Sequence, residues 1–189
     1  YHNWKDATEW PVSDRQGDMI RRDIRKQADP LEKTGIVGVF CRTYGIHRAI
    51  ETFLPDVYEA CDVDNRYTYR NGSTAAGLIV YDDKFAFSHH GTDPTGGTLC
   101  NAFDLVRIHL FGDRDENVKK NGTRIDRYPS YLAMEELACN DTSVKRLLME
   151  ERQKGAVSDF EGVETGDDTW KDSLNCDKKG NILPLRENI

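Results

Sequence analysis

Two adjacent histidines, a glycine-rich turn and a cysteine stand together in the run SHHGTDPTGGTLCNAFD at positions 88–104. The first chemistry such residues offer is metal binding, because Zn²⁺ is held by Cys and His side chains brought together at close spacing. His89, His90 and Cys100 fall within 12 residues and Cys61 precedes them, so a four-ligand set can be written: Cys61, His89, His90, Cys100. Neighbouring residues of a strand point to opposite faces, so both histidines reach one metal only if the strand bulges or if Asp93 replaces one of them. The competing reading makes Cys100 a small buried apolar residue, with one histidine packed on Phe87 and the other solvated. No CxxC pair occurs anywhere in the chain. Zinc is therefore the one cofactor these residues suggest, and the alternative is none.

A histidine at the end of a hairpin that leads into a helix is also the frame of ββα nucleases, where it activates water for attack on a phosphodiester. Here the helix lacks a convincing second ligand set, since Asp104 stands at a capping position and His109 lies more than a turn beyond it. A third chemistry is base stacking. In Arg66-Tyr67-Thr68-Tyr69-Arg70 the two tyrosines share one face of a strand and the arginines the other, the arrangement of aromatic platform and guanidinium that holds single strands on a sheet. His89 and His90 would add contacts to phosphate or base; alternatively the tyrosines fill a core and the arginines are solvated. The loop TDPTGGT before a helix invites phosphate, but it matches neither the Walker A nor the dinucleotide pattern and reads as a tight turn.

These residues need elements to position them. LIVY at 78–81 and KFAFS at 84–88 flank Asp82-Asp83 as two strands of a hairpin, with RYTYR as a third strand before the Asn71-Gly72 turn. Asn101 stands as N-cap of a helix whose apolar residues are Phe103, Val106, Ile108, Leu110 and Phe111 and which Gly112 ends. Ile46, Ala49, Ile50, Phe53 and Leu54 recur at helical spacing before Pro55, giving a helix at 45–54. Two more amphipathic helices start near Ser130 and Thr142, and Met19, Ile20 and Ile24 mark a short one. The expected fold is α+β: a small antiparallel β-hairpin or three-stranded sheet packed with several amphipathic helices. Residues 1–35 read as a linker with a short helix, 36–160 as the domain, and 161–189 as an extended segment.

The 189 residues carry a net charge of −7, which argues against coating duplex DNA by bulk electrostatics. With 38% hydrophobic and 31% charged residues the composition is polar, as expected when some flanking chain packs no core. Five scattered cysteines suggest reduced thiols, and no apolar run reaches the roughly 18 residues of a membrane span, so the expected location is the cytoplasm, away from membranes. Tyr1 at the start and DKKGNILPLRENI at the end read as the edges of an excised piece of a longer chain.

The runs KQADPLEKTGIVGVFCRTYGIHRAIETFLPDVY and RYTYRNGSTAAGLIVYDDKFAFSHHGTDPTGGTLCNAFDLVRIHLFGD resemble the middle region of phage and prophage primase-helicase proteins, the virulence-associated protein E type. SHHGTDP followed by LCNAFDLVR is the most specific part, and DDTWKDSLNCDKKGNILPLRENI is similar to the lead-in to a helicase. The hairpin, histidine pair, glycine loop and NAFDLV helix also look like the zinc-ribbon of bacterial primases with its cysteine spacing lost. That resemblance implies a part in DNA replication, and a ribbon shape that hydrogen bonds could keep in place of zinc. The catalytic modules of such proteins, an acidic DxD-type polymerase centre with its histidine and a GxxxxGK[ST] loop, are not expected in this chain.

The expected function is thus a template- or partner-binding middle domain of a mobile-element DNA primase-helicase, a non-catalytic part of an enzyme. Its expected partners are single-stranded DNA and the primase and helicase modules of the parent chain. Arg66, Tyr67, Tyr69, Arg70, His89 and His90 are the expected nucleic-acid contacts. The alternatives are a metal-dependent ββα nuclease and a protein-docking module with no affinity for nucleic acid.

Overall fold

A run of strands that are each too short to stand alone survives only by pairing edge to edge and burying one common face. The computed structural model, described here for residues 5–10, 14–118 and 122–160, contains such a sheet. Its strands are β1 (Tyr58–Ala60), β2 (Arg66–Tyr69), β3 (Leu78–Tyr81), β4 (Phe85–Ser88) and β5 (Leu99–Cys100), all antiparallel in the order β1-β2-β3-β4-β5. The architecture is α+β, with five strands where the hairpin and third strand were expected. The added strands have only three and two residues, too few to show an alternation.

Helices α1 (Asp14–Gln27), α2 (Gly35–Thr43) and α3 (Ile46–Phe53) precede the sheet, and α4 (Ala102–Phe111), α5 (Pro129–Asn140) and α6 (Thr142–Phe160) follow it. The chain divides into two compact units, residues 1–148 and 149–189. The first holds the whole sheet and α1 to α5. Of the second, only the C-terminal part of α6 lies within the described residues; the expected extended segment 161–189 lies outside them.

The β3–β4 turn forms as its residues predict: Asp82 and Asp83 both take positive φ, and the Lys84 N–H donates to the Tyr81 carbonyl at 3.0 Å. Short polar side chains tolerate this left-handed backbone better than bulky ones. The turn fixes a register in which Tyr81 faces Phe85 and Leu78 faces Ser88. That register sorts the side chains. One face carries Tyr58, Tyr67, Tyr69, Leu78, Val80, Ala86 and Cys100 into the main core, against Phe40, Ile46, Ile50, Phe103, Leu105 and Met134 of the helices. Phe40 and Phe103 meet edge to face at 5.8 Å, an arrangement aromatic pairs prefer.

The opposite face is smaller. Ile20 of α1 packs on Phe85 and Leu99, with Ile24, Tyr81 and Phe87 partly buried around them. Gln27 Nε2 donates to the Leu99 carbonyl at 2.6 Å, and Lys84 pairs with Asp29 just past the helix at 2.5 Å. The sheet therefore has an inner face closed by helices and an outer face covered in part by α1.

Candidate functional site

The 88–104 corner is built where β4 ends. Ser88 is the last residue of the strand, and the alternation continues beyond it: His89 turns to the outer face and His90 to the inner one, as adjacent strand positions must. On the outer side, Gln16 of α1 lies 3.1 Å from His89 Nδ1, and the His89 ring meets Phe87 at 4.9 Å between centroids. With the Gln16 amide donating to Nδ1, the ring's hydrogen sits on Nε2, and that buried atom has no hydrogen-bond partner.

His90 is 2% exposed. Its Nε2 accepts the Tyr69 backbone N–H at 3.2 Å, which leaves the proton on Nδ1 to donate to Thr74 Oγ1 at 2.9 Å. The ring thus fastens the 70–77 connection between β2 and β3 to the end of β4. Glycines make room for it: a Cβ on Gly77 would stand 2.6 Å from His90 Nε2, and one on Gly72 3.1 Å from Nδ1. Burial pushes the pKa of both histidines below the ordinary value; Arg66 adds to this for His89, while the Asp93 charge opposes it for His90.

Three residues further, Asp93 turns inward and collects donors. Its Oδ1 accepts the Thr95 N–H at 2.8 Å and the Thr95 hydroxyl at 2.7 Å, while Oδ2 accepts the Tyr58 hydroxyl at 2.7 Å. His109 Nε2 lies 2.7 Å from the Tyr58 oxygen and 3.3 Å from Asp93 Oδ1. Because Tyr58 gives its proton to Asp93, His109 donates to Tyr58, and the three form a chain from α4 through β1 to the loop. Burial works to raise the Asp93 pKa, but donors from His109, Ser88 and Thr95 outweigh it and hold the carboxylate far below its usual range. Tyr58 is pushed well up, by burial first and then by the Asp93 charge, so it keeps its proton. Unpaired, a carboxylate at this depth would cost several kcal/mol; this one has its oxygens filled.

The second half of the motif is equally occupied. Asn101 caps α4, its Oδ1 accepting the Asp104 N–H at 2.9 Å. Asp104 in turn receives Arg107 Nε at 3.0 Å, and Arg107 Nη1 donates to Ser130 Oγ at 2.7 Å. Ser130 donates both its N–H and its hydroxyl to Asp115, which locks the start of α5 to the end of α4.

The expected zinc ligands are not brought together. His90 has spent both nitrogens, and His89 faces the other side of the sheet. Cys61 lies on the outer face with Sγ 3.2 Å from Thr68 Oγ1. Cys100 is 1% exposed, and burial pushes its thiol strongly upward, away from the thiolate that zinc needs. Among the described residues no group of three or more His, Cys, Asp or Glu side chains could hold a metal ion. These residues do not fit zinc.

The expected stacking platform also lies elsewhere than on a surface. Tyr67 and Tyr69 share a face, but that face is the core: each is 8% exposed, and the Tyr67 hydroxyl is bonded to His47 Nδ1 at 2.7 Å. The register Tyr67↔Leu78 and Tyr58↔Tyr69 puts both rings under the helices, so neither presents a face to a base. Arg66 lies on the outer face and donates through Nη1 to the Ala7 and Ala76 carbonyls at 3.2 and 2.9 Å. Arg70 is exposed and lies 3.6 Å from Glu59.

Sequence reasoning missed Tyr58, Thr95 and His109 as members of the buried chain. The one local signal was the Asp-Pro-Thr-Gly turn, in which an Asp at the first place accepts from the N–H two residues on. No helix among the described residues is long and apolar enough to cross a membrane. Compared with known protein families, characterised proteins and solved structures, the chain matches none.

Proposed function

We propose that this chain is a non-catalytic, template-binding module of a mobile-element DNA primase-helicase, with a ribbon-like corner closed by hydrogen bonds instead of zinc. The observation that carries the reading is how the motif SHHGTDP…LCNAFDLVR spends its polar atoms. Ser88, His90, Asp93, Thr95, Asn101, Asp104 and Arg107 are each hydrogen-bonded, either to one another or, for His90, Asp93 and Arg107, to Tyr69, Tyr58 and Ser130. A general base must reach the proton it abstracts. His90 reaches Tyr69 and Thr74 instead, which weakens the nuclease reading and favours a scaffold that presents a surface. The likeness of the same motif to the middle region of primase-helicases supports placing that surface at a DNA template, beside the primase and helicase modules of a longer parent chain.

The test is fluorescence anisotropy with a labelled single-stranded oligonucleotide at low salt, where phosphate contacts are strongest, alongside a cleavage assay with Mg²⁺ or Mn²⁺. The expected result is salt-sensitive binding and an uncut oligonucleotide. Absence of binding at low salt sinks the reading in favour of protein docking; cleavage that His90→Ala abolishes in a folded protein restores the nuclease.

A further inference from the structure

Three of the five cations on α1 are arranged along one line. Arg15, Met19, Arg22 and Lys26 follow one another at i, i+4, i+7 and i+11, which places them on a single stripe of the helix, and all four are exposed. Ile20 and Ile24, more than a quarter of a turn away, anchor the helix to the sheet. Arg21 is paired with Asp18 at 2.7 Å and Lys26 lies 3.9 Å from Asp23, whereas Arg15 and Arg22 pair with no acid among the described residues. Seven residues of helix separate those two by about 10.5 Å.

Beside the first half of this stripe, where Arg15 and Met19 line it, lies a cleft of about 320 Å³ between α1 and the outer face of the sheet, closed by Gln16, Ile20, Asp23, Phe87 and Gly97. That volume is at the small end for ligand pockets, suited to one flat group. Phe87 is the aromatic wall, partly exposed and packed edge-on against His89. Met19, 49% exposed, offers a polarizable thioether on the helix side. At Gly97 the backbone is bare, with open space where a Cβ would stand.

We infer that this cleft seats one unstacked base of a single-stranded DNA, between Phe87 and Met19, with the flanking phosphates along Arg15, Arg22 and Lys26. The inference rests on the template-binding reading and gives that reading its surface, on the face of the sheet opposite Tyr67 and Tyr69. Asp23 on the wall repels phosphate and accepts hydrogen bonds from a base edge, so it sets the base inward and the backbone outward. A duplex keeps its bases stacked and paired, so it offers no such group to the cleft. Aromatic stacking tolerates any base, while the cation stripe supplies the salt-dependent part of the affinity.

The experiment measures binding of the whole chain to a labelled oligo-dT and to a duplex of equal length, across a salt series. Three cations on phosphates contribute about −2 to the slope of log K against log salt for single strands, and Arg15→Gln with Arg22→Gln removes about 1.4 of it. Phe87→Leu keeps an apolar side chain over Ile20 and loses the stacking face, with an expected loss of at least about 5-fold in affinity. An unchanged urea midpoint in each variant shows that α1 has stayed docked; if Phe87→Leu shifts it, the Arg pair decides, since both of those side chains are exposed. If Arg70→Gln lowers the affinity while the α1 pair and Phe87→Leu do not, the cleft is not the site, although strand binding stands. Tighter binding to duplex also overturns the inference. No binding to either probe removes the template reading itself.

Discussion

Replacing Tyr58 by Phe removes one oxygen from the buried chain and nothing else. The ring stays, packed on Tyr69 and His109 at 5.8 and 5.2 Å between centroids. The lost hydroxyl is the donor that Asp93 Oδ2 receives at 2.7 Å, and a hydrogen bond to a charged group contributes about 1.5–3 kcal/mol. His109 Nε2 is left with Asp93 Oδ1 at 3.3 Å as its remaining acceptor, a poorer contact. Phe is easier to bury than Tyr, which returns part of the loss. The net expectation is about 1–2.5 kcal/mol, equivalent to roughly 2–10 °C in Tm for a protein of this size. Urea unfolding followed by circular dichroism should show a lower midpoint at unchanged slope. A cycle with His109→Gln should give a coupling of at least about 1 kcal/mol, because both side chains act through the same carboxylate. A Tyr58→Phe effect below about 0.5 kcal/mol, or strict additivity with His109→Gln, would show that the three groups are not one network.

Gly77→Ala should destabilise by about 1–3 kcal/mol, since its Cβ would stand 2.6 Å from His90 Nε2 and force the ring off Tyr69; combined with His90→Ala the two losses should be less than additive, measured by the same unfolding assay. Acid should weaken the protein earlier than carboxylate titration alone would. His89 and His90 have native pKa values lowered from 6.5, so below that pH the unfolded chain takes up protons that the folded one resists. Their contribution is intact above about pH 6.5 and is lost as pH falls towards the depressed native values. A urea midpoint that rises between pH 7 and pH 5 contradicts this sign. Dialysis against a strong chelator should leave the midpoint unchanged and the chain should carry sub-stoichiometric zinc; a structural zinc supplies on the order of 10 kcal/mol or more, so its removal could not pass unnoticed.

Elements announced by local signals were legible. The Asp82-Asp83 turn, the Asn101 cap with Gly112 after the helix, and the 3-4 spacing before Pro55 each act within a few residues, and each element formed within a residue or two of its expected place. Helix α2 was not legible, because GIVGVFCRT is apolar on nearly every side and rich in β-branched residues; burial between α4 and α5 stabilises it where propensity does not. In RYTYR the alternation was readable but its direction was not. Tyr and Arg both carry an apolar body and a polar tip, so either pair could face the core, and only pairing with Leu78 and Tyr58 decides. The buried chain was illegible for a different reason. Tyr58 meets Asp93 across 35 residues and His109 across 51, and nothing in the spacing of a single sequence records such a contact.

The histidine pair divides the labour of the corner by parity alone. Because His90 points inward, its two hydrogen bonds and the filled Asp93 oxygens fix the backbone from Ser88 to Thr95 without a metal. Because His89 shares that backbone and points outward, the same fixation sets where it meets Gln16, and through the strand where Phe87 stands beneath α1. The inner network is therefore what gives the outer cleft a defined wall. A corner closed this way depends on protonation, because burial lowers the pKa of His90 and protonation would take away the nitrogen that accepts the Tyr69 N–H. As pH falls, His90 must lose its acceptor nitrogen or resist the proton, and the strand it fastens is the one that carries the cleft wall.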